Sequence, residues 1–178
     1  RMSSAVEHVL RELVASGELD LPGPGSGRSA DRLLALFDLA RTQPVAVARL
    51  AEAHTDAVAI LHEAGRDREP GAIYGVWASA GPDDVELSDG SDVLRLDGVK
   101  PFASGLGVVD RALVTVVDAR DHRRRRLLVD TSVDDVREHA ERDVRARLGP
   151  EQWARAYAAG RMMSIDSLLK DIDSVSRS

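Results

Sequence analysis

The side chains of this 178-residue chain that invite a search for chemistry are its five histidines, two serines beside small residues and two aspartate pairs. His8, His54, His62, His122 and His139 form no His-Glu-x-x-His arrangement, the spacing that sets two imidazoles and a general base on one helical face around zinc. Ser79 and Ser104 lack the Gly-x-Ser-x-Gly elbow that exposes a nucleophile on a sharp turn, and neither has a His close in sequence. Asp83-Asp84 and Asp134-Asp135 have the makings of an acid and base, but each opens or ends an element, where Asp serves turns and caps. The absence of Cys excludes thiolate chemistry, disulfides and Cys-based metal sites. Alternating glycines in Leu21-Pro22-Gly23-Pro24-Gly25-Ser26-Gly27 resemble a phosphate cradle. No strand precedes them and no Gly-Lys-Ser/Thr follows, so the segment reads as a loop.

Charge narrows the partners. A net charge of -6 argues against general nucleic-acid binding, which requires an excess of Lys and Arg to release counterions from phosphate. The exception is Arg120 with His122-Arg123-Arg124-Arg125-Arg126, a run between two apolar stretches that reads as the solvated tip of a hairpin rather than an anion site. At 43% hydrophobic and 30% charged residues the composition is that of a folded globular protein, long enough for one core and an appendage. Arg1-Met2-Ser3-Ser4 leads into an amphipathic pattern without an apolar signal region. No run approaches the roughly 18 apolar residues of a membrane span, so a cytoplasmic location without membrane contact is expected.

The elements that must position any site fall into three blocks. In the first, residues 1–70, Val6, Val9, Leu10, Leu13 and Val14 recur at helical spacing and stop before Gly17. Ser29 is placed to cap a second helix through Arg41, with Leu33, Leu34, Leu36, Phe37 and Ala40 as a broad apolar face. Pro44 opens a third helix that carries Val47, Leu50, Ala51, Val58 and Leu61 on one stripe and closes at Gly65. His54 lies on that stripe, where a lone His is a hydrogen-bonded core or interface residue more often than a ligand. In the second block, residues 71–133, the period becomes that of strands. These are Ala72 to Ser79, Val93 to Leu96 between the turn signals Asp89-Gly90 and Asp97-Gly98, a short strand over Lys100 to Ser104, and an antiparallel pair from Ala112 to Val117 and Leu127 to Val129. The third block, residues 134–178, predicts a helical tail, with Gly149-Pro150 as a stop and a start and Ser164 as a last cap. The fold class is therefore α+β, with helices packed on an antiparallel sheet or barrel and followed by a helical tail.

Three segments in order carry a likeness to a known family: Trp77-Ala78-Ser79-Ala80-Gly81-Pro82, Leu96-Asp97-Gly98-Val99-Lys100-Pro101-Phe102-Ala103-Ser104-Gly105, and Val109-Asp110-Arg111-Ala112-Leu113-Val114-Thr115-Val116. Together they resemble the flavin-dependent acyl-CoA dehydrogenases, in which an N-terminal helical domain precedes an antiparallel β-barrel. The Phe-Ala-Ser-Gly variant is similar to the flavin monooxygenases of that family. The resemblance implies FAD as cofactor, with Phe102 against the isoalloxazine and the Ala103 backbone and Ser104 hydroxyl at its polar edge. Trp77, Ala78 and Ser79 would form the opposite wall. Ser79-Ala80-Gly81-Pro82 stands where the family has Thr-Glu-Pro, which moves the hydroxyl donor to Ser79 or removes it.

The likeness covers roughly residues 1–133. The family continues into a helical bundle that supplies oligomer contacts, adenine-end flavin binding and, in dehydrogenases, the proton-abstracting Glu. No residue here inherits those roles, so the catalytic residues stay unassigned. The implied function is an acyl-CoA dehydrogenase-like oxidoreductase module acting on an acyl-CoA or other small molecule, incomplete by itself. The bundle's place would be taken by a homo-oligomeric contact or a partner chain. Leu148 to Tyr157 with Gly160 to Ser164 is similar to the final helices of tetratricopeptide-containing bacterial transcriptional regulators. It motivates the alternative of a non-catalytic remnant or protein-interaction module.

Overall fold

Three helices are followed by five strands: α1 (Met2–Ser16), α2 (Ser29–Thr42), α3 (Val45–Glu63), β1 (Tyr74–Trp77), β2 (Glu86–Asp89), β3 (Leu94–Asp97), β4 (Arg111–Asp118) and β5 (Arg126–Ser132). This computed structural model describes residues 2–79, 85–90, 94–100, 102–123, 126–134 and 151. Residues 1–134 form one unit and 135–178 another. The helical tail expected over 134–178 lies outside the described residues, save Asp134 and Glu151. An α+β architecture is what the sequence pattern predicts.

Helix ends follow from backbone chemistry. Gly17, at φ 77°, ends α1 in a conformation that a β-carbon disfavours. Between α2 and α3, Gln43 is extended because it precedes Pro44, whose fixed φ then starts α3. α3 closes in a Schellman motif, with Gly65 N–H donating to His62 O and Arg66 N–H to Leu61 O. The cap of α2 differs from expectation: Arg28 is the cap residue, without a side-chain cap bond, and Ser29 is already helical.

β4 is the central strand. Ala112, Leu113, Val114, Val116 and Val117 are all buried, so the strand reads as a near-continuous apolar run rather than an alternation. β5 pairs antiparallel along Arg111–Val117. β1 pairs parallel with the first half of β4 and β2 parallel with its end. The β2–β3 hairpin reverses the chain twice before β4, so β4 returns in the direction of β1 and the sheet is mixed, not purely antiparallel as predicted. The core forms where Leu10, Leu13, Val47, Leu50 and Ala51 of the helices meet Trp77, Leu87, Ala112 and Val114. Burial of each such leucine contributes about 1.5–3 kcal/mol. No helix among the described residues is long and apolar enough to cross a membrane.

The strand expected over Lys100 to Ser104 does not form. Among the described residues this segment is a run of turns, with Ser104 N–H donating to Phe102 O, Leu106 N–H to Ala103 O and Val108 N–H to Gly105 O. Gly98, Phe102, Gly105 and Gly107 all have positive φ, and such a backbone cannot sustain a ladder.

Candidate functional site

The site is built on the end of β1 and the turns after β3. Trp77 and Gly75 point to the same face of β1, being two residues apart. The indole lies back across Gly75, where a β-carbon would stand 3.3 Å from Nε1. Trp77 is buried, and its Nε1 donates to Ser104 O at 3.0 Å. One hydrogen bond therefore joins the two segments that the family resemblance implies as opposite walls.

Gly105 fixes the height of the turns over α3. A β-carbon there would lie 2.8 Å from Leu50 Cδ2 and 3.1 Å from Val109 Cγ1, and φ is 81°. Ala103 tucks partly into the core beneath. Lys100 Nζ donates to Thr115 O at 3.0 Å, in the stretch of β4 between the residues that pair with β1 and those that pair with β2. Lys100 lies inside the Leu96–Gly105 motif, but its spacing there carries no sign of this clamp, which depends on β4.

What the turns present is apolar. Phe102 is 83% exposed and adopts φ 57° as the one non-glycine residue at positive φ among those described. Val99 and Leu106 are exposed beside it in sequence. A bulky side chain in the left-handed region costs about 1–2 kcal/mol, a cost that burial of Phe102 does not offset. Strain of this kind gathers at functional sites. Ser104 is exposed, Ala78 is exposed and Ser79 is half-buried. Of the six proposed contact residues, Trp77 is thus a buried strut, while the other five lie at or near the surface. Ala80, Gly81, Pro82 and Pro101 lie outside the described residues.

Behind the site, Asp110 locks the end of the turns to the helices. Its carboxylate accepts from Arg11 Nη2 at 2.9 Å and Nη1 at 3.2 Å, and from Ile73 N–H at 2.8 Å. Burial works to raise this carboxyl, but the Arg11 guanidinium and the Ile73 N–H hold it below the usual carboxylate range.

His54 and Arg120 have structural roles, whereas Asp83-Asp84, Arg124-Arg125, Asp135 and His139 lie outside the described residues. His54 is fully buried, its Nδ1 accepting from Tyr74 N–H at 3.1 Å, and burial, aided by Arg68, pushes the imidazole down to about 4. That is the hydrogen-bonded core role expected of it. Arg120 at the hairpin tip spends its guanidinium on Asp118 at 2.8 and 3.0 Å. Among the described residues no group of three His, Cys, Asp or Glu side chains is arranged to hold a metal.

Comparison with protein-family models, with curated proteins and with solved structures finds no match to this chain. Any functional reading therefore stands on the geometry and on the motif resemblance.

Proposed function

We propose that residues 1–134 form a flavin-facing module of an acyl-CoA dehydrogenase-like oxidoreductase, with the mixed sheet as part of the family's barrel. The observation that carries the reading is the Trp77–Ser104 hydrogen bond, which couples the end of β1 to a strained turn displaying Phe102. The residues fit a flat, partly polar ring. Phe102 supplies an exposed aromatic face, and Ser79 and Ser104 bring one hydroxyl to each of the two coupled segments. When bound, FAD supplies the redox chemistry on an acyl thioester or other small molecule. This chain's part is to seat and orient the ring: Phe102 packs on it, the Ala103 backbone and Ser104 contact its polar edge, and Ala78 and Ser79 approach from the other side. Trp77 acts one step back, by holding the Ser104 backbone in place.

The test is a titration of the purified chain with FAD, followed by flavin absorbance and fluorescence. Binding that weakens at least about tenfold in Phe102→Ala, as expected on losing an aromatic contact and its buried area, supports the reading. No flavin binding by the wild-type chain overturns it.

A second reading, a non-catalytic interaction module, is favoured by one specific observation. Leu33, Leu34 and Phe37 of α2 are about two-thirds exposed (65%, 66% and 68%). In this reading the chain folds, binds no flavin and turns nothing over.

A further inference from the structure

α2 faces outward with the wrong side. An amphipathic helix lowers its free energy by burying its apolar stripe, yet the buried residue of α2 is Arg32. Arg32 is held by Asp56 Oδ1 at 2.6 Å, Thr55 Oγ1 at 3.0 Å and Pro22 O at 3.3 Å. A buried guanidinium persists only when paired in this way, so these bonds set the rotation of α2. With Arg32 and Leu39 turned inward, Leu33, Leu34 and Phe37 are turned out. Together with Val45 they line one continuous groove between α2 and the start of α3.

We propose that this face is a two-fold interface with a second copy of this chain. Two observations choose that occupant. The first is area. Leu33, Leu34, Phe37 and Val45, exposed by 65, 66, 68 and 76%, present roughly 500 Å² of largely apolar surface, at the upper end of what monomers leave open. A standard-size stable interface buries about 800 Å² per partner, and at the roughly 65% apolar share of homodimers these four residues match one protomer's apolar part of an interface at the small end of the homodimer range. The second is charge. Arg49 and Glu52 line the groove and pair with each other, and Asp38 pairs with Arg41 on α2 at 2.8 Å. A border carrying both signs in equal number offers nothing to a polyanion or an anionic membrane. Under a two-fold axis it complements itself, since each protomer's Arg can meet the other's carboxylate.

The interface is independent of flavin, and its test separates the two. Sedimentation of the full chain across a concentration series gives a monomer–dimer equilibrium, unchanged by FAD and by Phe102→Ala. Phe37→Ala raises the dimer Kd about 30-fold, as for a buried anchor in an interface centre. The double variant Leu34→Glu/Phe37→Glu is monomeric, with wild-type circular dichroism and cooperative unfolding. Because the chain has no Cys, Leu33→Cys, Phe37→Cys and Ala40→Cys report proximity directly should a charged variant fail to fold. At least one of them forms an intermolecular disulfide under mild oxidation, whereas His122→Cys at the exposed hairpin tip does not. A chain that stays monomeric at every concentration overturns the proposal, even if another protein's helix binds the groove. So does a dimer that survives Leu34→Glu/Phe37→Glu, or α2 cysteines that cross-link no faster than the tip.

Discussion

β1 is only four residues long, and its two ends meet opposite surroundings. At Tyr74 the main-chain N–H is received by His54 inside the helix–sheet core, and the phenol accepts from Glu69 N–H at 2.9 Å. At Trp77 the indole reaches out to Ser104 O and holds a turn whose Phe102 and Leu106 stand in water. The local device is the same at both ends, a buried aromatic with its polar atom spent on main chain. Its purpose differs: one end closes the core, and the other displays apolar side chains that contribute nothing to folding where they stand. Single exposed hydrophobes are ordinary on a protein surface. Under the proposed function, the strained and exposed Phe102 is explained by a ligand that binds it.

The largest expected effect separates the strut from what it displays. Trp77→Ala removes a buried indole and leaves Ser104 O without its donor, for a loss of about 3–5 kcal/mol. Phe102→Ala changes stability by no more than about 0.5 kcal/mol, as for a surface substitution. Urea unfolding of the two variants measures the contrast. Similar losses in both would mean that Phe102 is covered by its own chain, and the distinction between the two ends of β1 would collapse.

Acid probes the closed end through His54. His54 is neutral in the fold, pushed from 6.5 down to about 4 by burial and then by Arg68. As pH falls below 6.5 the unfolded chain takes up this proton first, so stability declines until about pH 4, by roughly 3 kcal/mol if the whole shift is expressed. Asp110 adds a further loss at lower pH. Its carboxyl is depressed in the fold, so its contribution is complete above the ordinary carboxylate range and disappears as pH falls through the lowered value. His54→Asn retains an acceptor close to Nδ1 but cannot titrate, and should flatten the slope between pH 6.5 and 4 whatever its effect on absolute stability. An unchanged slope would move the titrating group elsewhere.

These two ends were not equally legible in the sequence. Gly17, Pro44 and Gly65 mark helix ends because their backbone chemistry allows little else, and the apolar run of β4 declares a central strand. The core role of His54 followed from its place on an apolar stripe. Periodicity showed that α2 has an apolar face but not which side the fold would cover. That was decided by Arg32, whose partners Thr55 and Asp56 lie in the next helix. The turns over Lys100 to Ser104 have the pattern of a strand because short alternating segments look alike, and the positive φ values that break the ladder are a property of the folded backbone. Trp77 and Ser104 are 27 residues apart. No local rule joins them, and only the motif resemblance put them in one site. The mixed sheet likewise depends on how the β2–β3 hairpin returns the chain, which is a matter of topology and not of propensity.

The smallest effect on stability is the sharpest test of the open end. Phe102→Gly removes a side chain that is already 83% exposed, so little burial is lost. It also relieves a left-handed backbone that costs a non-glycine residue about 1–2 kcal/mol, while adding about 0.5–1 kcal/mol of unfolded-chain entropy. The two nearly cancel, and the variant should be as stable as wild type or more stable by up to about 1 kcal/mol in thermal or urea unfolding. Flavin affinity should nevertheless fall at least as far as in Phe102→Ala, because glycine removes the same ring and frees the turn that aimed it. That pairing of preserved stability with lost binding is the behaviour of a residue kept in strain for a ligand. A clear loss of stability in Phe102→Gly would instead make Phe102 part of the fold, and the turn after β3 would be no more a binding surface than the Tyr74 end of the strand.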